Sequence, residues 1–243
     1  MDDTLRAARL LGRAGRWDAA IRLAESVPAA EGRLVAALIA VDSYLFTGRD
    51  GVAELLDRAR EAVGETPEWT LAQARYRYGV LLFGDDRDEA RCRAVVDRFA
   101  ELARSLPDPA LRAWARFFHA TSLDVLFEDH EAARAEWAEV RAGAEPFLLS
   151  YCLRHLAFYE FYGTGNRTLA WDLTWQSLTL RLACGALPEA AAQLQFLAQI
   201  RQAEGEFAQA RRLAEQAAAI AGEIGISGPI RAAIDAMVGQ PTV

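Results

Sequence analysis

Proline sets the frame of this chain. Pro28, Pro67, Pro107 with Pro109, Pro146, Pro188 and Pro229 recur about every 40 residues, each between two stretches of helical periodicity. Proline lacks an N–H and clashes with the preceding turn, so it is tolerated where a helix begins and not inside one. Every proline except Pro241 therefore marks a boundary between units. Within each unit a softer break divides two amphipathic stretches, usually Gly with Ala five residues later: Gly15/Ala20, Gly48/Ala53, Gly165/Ala170 and Gly205/Ala210. Glycine takes the left-handed conformation that ends a helix, and a small Ala lets the second helix approach the first. Unit four keeps Ala133 but carries Glu128 at the break, and unit three has Gly84 with a displaced Ala90. Seven residues beyond the Ala stands another small or apolar residue, Val27, Val140, Ser177 or Ala217, which a period of 3.6 places on the inward face.

This punctuation predicts helices over 3–14, 17–27, 30–47, 51–63, 68–83, 87–106, 109–127, 130–143, 147–162, 167–184, 189–203 and 206–222, with a cap at 230–238. Strand-type alternation is absent, which argues against βαβ units. A hairpin cannot bury its apolar face alone, so six of them stack into one cooperative body. The expected architecture is one all-α domain spanning 1–243.

The segments GRWDAAIRLAESVP (Gly15 to Pro28) and GEFAQARRLAEQAAA (Gly205 to Ala219) carry Gly, aromatic, Ala and small-residue positions that resemble the tetratricopeptide repeat. Ala7 with Ala8, and Leu197 with Ala198, sit where that family places a Leu-Gly pair. The resemblance covers nearly the whole chain, closest in repeats one and six and loosest in three. Units longer than the usual 34 residues look like the repeats in sensor regions of large actinobacterial transcriptional regulators. The resemblance implies a right-handed α-α superhelix (a TPR-like solenoid) of about six helical hairpins plus a C-terminal capping helix. It also implies a concave groove, lined by the first helix of each repeat, that receives a protein or peptide segment. The family's clamp for a terminal carboxylate uses a Lys and Asn set. This chain has no Lys, and its only Asn, Asn166, lies in a turn, so that specificity does not carry over.

Composition narrows the chemistry. All 27 basic residues are Arg, as GC-rich bacterial genomes tend to encode, and without Lys there is no Walker phosphate lysine, pyridoxal Schiff base or lysine general base. A net charge of −7 argues against a nucleic-acid partner, which needs a basic stripe. The longest apolar run, Leu34 to Val41, is far short of the ~20 residues that cross a bilayer, so no membrane partner is expected. The start, MDDTLRAARLL, does not read as a signal peptide. Three scattered cysteines read as reduced core residues, and the expected location is the cytoplasm. The Asp85 DDRDE run lacks the pattern of a calcium loop, and Gly163-Thr-Gly165 follows no strand, as a dinucleotide loop would require.

The richest stretch runs from Ser150 to Trp175 and mixes aromatics with Arg154, His155, Glu160 and Arg167. Aromatics at helical spacing form ordinary core, and aromatic walls with a few polar groups also form ligand sites. Arg154 falls in the inward phase, where a guanidinium needs an acid or a bound anion, and Asp124 is its expected internal partner. Cys152 and His155 have i, i+3 spacing and His119 could add a third ligand, but no fourth follows, so no metal and no cofactor is assigned. No catalytic residue is assigned either. The expected partner-facing residues, placed by the family's groove positions and by Arg154, are Ser122, Arg154, His155, Tyr159, Tyr162 and Gln199. The expected function is a non-catalytic protein- or peptide-binding scaffold or regulatory module. The alternatives are a sensor or carrier of a small anionic or aromatic ligand, or a specialised-metabolism enzyme, with a pocket in repeats four to five.

Overall fold

The computed structural model describes residues 2–84 and 88–239, and of Pro229 only the backbone. The Asp85–Arg87 part of the acidic run, the predicted start of the sixth helix at 87, and Pro241 lie outside the described residues. Among the described residues there are thirteen α-helices and no strand. They are α1 (Asp3–Arg13), α2 (Trp17–Glu25), α3 (Ala30–Thr47), α4 (Val52–Val63), α5 (Pro67–Phe83), α6 (Glu89–Ser105) and α7 (Pro109–Phe127). The rest are α8 (His130–Arg141), α9 (Pro146–Phe158), α10 (Arg167–Ala183), α11 (Leu187–Ala203), α12 (Phe207–Ile224) and α13 (Gly228–Val238). A π-helical segment, Tyr159–Thr164, follows α9 directly. No helix among these residues is long and apolar enough to cross a membrane.

The boundaries follow the punctuation. Proline occupies the first turn of α5, α7, α9, α11 and α13, where its missing N–H has no helical acceptor to lose. Side chains satisfy neighbouring orphan donors. Thr66 accepts from the Trp69 N–H, Asp108 from Ala110 and Leu111, Glu145 from Phe147 and Leu148, and Asn166 from Leu169. At the breaks, Gly48 (φ 61°) and Gly165 (φ 73°) take the left-handed conformation. Glu128 does the same at φ 56°, the one non-glycine residue among those described with positive φ. Its N–H donates to the Asp124 carbonyl, the single bond of the simpler left-handed cap, and the Asp129 N–H reaches the Leu123 carbonyl, so both close α7.

The contacts divide the chain into two compact units, Met1–Gly12 with Arg16–Val140, and Arg13–Gly15 with Arg141–Val243. In the first, consecutive helices pack from α2 through α7, and α3, α5 and α7 also meet in turn. Trp69 is buried at 2% exposure and its indole N–H donates to the Leu56 carbonyl at 2.8 Å. The inward alanines behave as their spacing predicts in most repeats: Ala20, Ala133 and Ala170 are fully buried, and Ala210 nearly so. Ala53 departs from the expectation. It is exposed, and Val52 fills the inward place, because α4 starts at Val52 and its apolar phase is shifted by one residue.

In the second unit α11 is buried on all sides from Pro188 to Ala198, packed by α10, α12 and α13, and that buried span includes the polar Glu189, Gln193 and Gln195. Contacts between α9 with its π extension and α11 climb together along both. The Tyr151 hydroxyl donates to Glu189, Arg154 to Gln193, and the Tyr162 hydroxyl to Gln199, while Phe158 meets Phe196. The hydrogen-bonded partners lie 37 to 39 residues apart. Partner numbers that rise together mean that the two helices run side by side in the same direction, one repeat length apart.

Candidate functional site

The face of the second unit carried by α9, the π segment and α11 is built over a buried polar cluster. Arg181 of α10 is 1% exposed. Its Nη1 donates to the Glu189 carbonyl at 2.8 Å and to Gln193 Oε1 at 3.2 Å, and its Nε donates to Ser150 Oγ at 3.4 Å. Gln193, itself fully buried, also accepts from Arg154 Nη1 at 2.7 Å through the same oxygen, and its amide donates to the Thr174 carbonyl at 3.3 Å. Arg154 Nη1 further donates to the Ala192 carbonyl at 3.0 Å. Two guanidinium groups thus converge on one amide oxygen. The carboxylate of this cluster is Glu189, which accepts from the Tyr151 hydroxyl at 2.8 Å and draws the Arg181 charge.

Electrostatics follow from that crowding. Burial first, and the neighbouring Arg181 charge second, push Arg154 down to about 9, which leaves it cationic at neutral pH. Burial and then the charges of Arg154 and Arg181 hold His155 down to about 3. An imidazole held so low stays neutral near pH 7 and is a weak proton acceptor there. The Cys152 thiol, fully buried, is pushed up to about 12 by desolvation and is no nucleophile in this state.

Aromatic rings flank the cluster. The Arg154 guanidinium carbon lies 4.4 Å from the Phe158 ring centroid. Phe158 contacts Phe196 at 4.2 Å and Tyr162 at 6.1 Å. Tyr162 is 67% exposed, and its hydroxyl lies 3.4 Å from Gln199 Oε1. The π segment carries Tyr159 and Tyr162, and its end is closed by the Gly165 and Asn166 N–H groups on the Glu160 carbonyl. π turns are rare and recur at functional sites.

Five of the six expected residues lie in the second unit, on α9, the π segment and α11. Arg154 and His155 come from α9, Tyr159 and Tyr162 from the π segment, and Gln199 from α11; Arg154, His155, Tyr159 and Gln199 are partly exposed. Ser122 is different. It lies in the first unit with no exposed surface, and its hydroxyl donates to the Phe118 carbonyl one turn back at 2.7 Å, so here it is a core residue. The expected Arg154–Asp124 pair is also replaced. Asp124 accepts from His130 Nδ1 at 2.7 Å, while Arg154 turns to α11. His119 is engaged by both oxygens of Glu136, at 3.0 and 2.9 Å. Among the described residues no three His, Cys, Asp or Glu side chains stand where they could hold a metal ion.

Arg181, Gln193 and Glu189 were not anticipated. The signal was present, since Arg181 follows the inward Ser177 by four residues, and Gln193 follows Glu189 by four on one face of α11. No protein-family model matches this chain, and neither does any curated protein. What the fold and the site define is a class: an all-helical, repeat-like protein whose consecutive helices pack on one another, with a cation-rich polar cluster beneath one aromatic face.

Proposed function

We propose that the protein is a tetratricopeptide-like recognition module, one domain of about six hairpins and a cap wound as a right-handed superhelix. It binds a protein or peptide segment along the face formed by successive first helices, without catalysis, in the cytoplasm of a bacterium. The observation that carries this reading is the parallel, side-by-side course of α9 and α11, with equivalent positions 37 to 39 residues apart and Tyr162 and Gln199 presented between them. The neutral His155 and inert Cys152 support a non-catalytic role, and the net charge of −7 supports a partner other than nucleic acid.

A second reading, a sensor or carrier of a small anionic or aromatic ligand, is favoured by one observation: two guanidinium groups share the cluster with a single carboxylate. One experiment addresses both readings. Wild type and a Tyr162→Ala/Gln199→Ala variant are purified from the native host, and bound proteins and small molecules are identified after denaturation. A stoichiometric protein partner lost by an equally stable variant, with amide-exchange protection over α9 to α11 in the complex, supports the module. A small molecule released by the variant, with no protein partner, replaces the first reading by the second.

A further inference from the structure

We infer that Arg154 is the docking group for an aromatic carboxylate: a carboxylate that stands one short link away from an aromatic ring. The inference rests on the reading of the α9–π–α11 face as a recognition surface, and it specifies what that surface takes.

The charge balance comes first. Arg154 and Arg181 converge on Gln193 Oε1, and Glu189 sits on the Arg181 side of that cluster, with its carbonyl bound by Arg181 Nη1. Among the described residues Arg154 forms no ion pair, and the strongest charge acting on it is that of Arg181, which opposes its own. Two cations and one carboxylate leave one positive charge in a weakly hydrated place, where an unpaired ion is held at a high desolvation cost. A single added carboxylate balances it; a phosphate dianion overshoots. Arg181 adds to the same field, because its Nη2 is buried without a hydrogen-bond acceptor among the described residues.

Geometry supplies the contact. Both hydrogen bonds of Arg154 leave from Nη1. Its Nε and Nη2 have no acceptor among the described residues, and the side chain is partly exposed. That Nε–Nη2 edge is the fork that takes a carboxylate through two parallel N–H···O bonds. The aromatic part follows from position. Phe158 lies against the guanidinium, and Tyr162, 67% exposed, lies one further turn along. The two ring centroids lie 6.1 Å apart, close to what a two-carbon link between ring and carboxylate spans. Exposed tyrosine rings stack favourably on a flat aromatic partner.

The same chemistry has two sources, a free aromatic acid and an acidic side chain beside an aromatic one in a partner segment. The test titrates the full chain calorimetrically with 3-phenylpropionate, with 3-phenylpropionamide, and with a blocked tetrapeptide carrying glutamate beside phenylalanine. Wild type, Arg154→Gln, Arg154→Lys and Tyr162→Ala are compared, with thermal melts establishing that each variant is folded.

The expected result is that at least one acid binds wild type at least tenfold more tightly than the amide. Arg154→Gln should reduce the acid to the amide's level and leave the amide unchanged. Arg154→Lys, which keeps the charge and loses the fork, should fall between. Tighter binding of 3-phenylpropionate than of the peptide assigns the carboxylate to a small ligand, and the reverse assigns it to a partner segment. Equal binding of acid and amide, retained acid affinity in Arg154→Gln, or no binding of either acid overturns the inference. A protein partner lost by Tyr162→Ala/Gln199→Ala but kept by Arg154→Gln likewise overturns it while leaving the recognition module standing.

Discussion

Acidification tests the environment assigned to His155. The imidazole is held to about 3 by burial and then by the Arg154 and Arg181 charges, against about 6.5 in an unfolded chain. A group whose value is lowered by folding takes its proton first in the unfolded chain. Its contribution to stability is therefore complete above the unfolded value and is lost as the pH falls from there toward the folded one. At pH 4.5 the interval of about two pH units below 6.5 corresponds to about 2.7 kcal/mol. The imidazole is partly exposed, and solvent screening brings this to roughly 1.5–2.5 kcal/mol. At about 2–4 °C per kcal/mol for a chain of this size, the melting temperature should fall by roughly 5 °C through this one group. The assay is a series of thermal melts from neutral pH to about 4.5 on wild type and on His155→Gln, which cannot take the proton. His119, His130 and every carboxylate are common to both proteins, so the difference between the two curves isolates His155. The variant should gain on wild type steadily as the pH drops. Parallel curves across that window would refute the half-buried, cation-flanked placement of the ring.

Three further predictions concern the fold. Glu128→Gly should stabilise the protein by about 1 kcal/mol, because glycine takes the left-handed φ of 56° without the Cβ penalty; urea midpoints at unchanged slope are the readout, and a loss of stability would contradict the assigned cap. Gly32→Ala should destabilise by about 2–3 kcal/mol, since its new methyl would lie 2.5 Å from the Val27 carbonyl oxygen and 2.6 Å from that of Ala24. A wild-type denaturation midpoint would show that α3 is not pressed so closely on the end of α2. In native protein treated briefly with iodoacetamide at about pH 8, the partly exposed Cys184 should be alkylated while the buried Cys92 and Cys152 stay unmodified. Peptide mass mapping that finds Cys152 modified as fast as Cys184 would contradict its burial.

Helix boundaries were legible because proline and glycine act locally: a missing N–H or a positive φ has the same meaning wherever it occurs. Pro146 and Pro188 open α9 and α11 as their spacing implies, and Glu128 was conspicuous as the residue standing where its counterparts are glycine. Phase was less secure. Ala53 reads as inward by its distance from Gly48, yet the helix begins where it buries Val52 best, and one residue of shift turns the whole face. Side-chain polarity misled at Ser122 for a different reason. A hydroxyl inside a helix can satisfy itself on the carbonyl one turn back, as Thr121 and Thr174 also do, so it need not face water or a partner. The oddity of Arg154 was visible from its position alone. Its partner was not, because that depends on which helix arrives beside α9, and Gln193 lies 39 residues away. The π segment left no trace in the periodicity, since Tyr159 to Thr164 reads equally well as α-helix.

That segment also has a consequence for how the chain can change its length. An α-helix turns about 100° for each residue, and a π turn accommodates one residue more than an α turn does. Removing a residue from Tyr159–Thr164 could therefore be absorbed by tightening the winding to α, with α10 resuming in the same direction. In a uniform helix the same deletion would swing everything downstream by a third of a turn. The segment is a place where length is exchanged for winding, and a chain shortened there should still fold, with Tyr162 carried round the helix axis and away from Gln199.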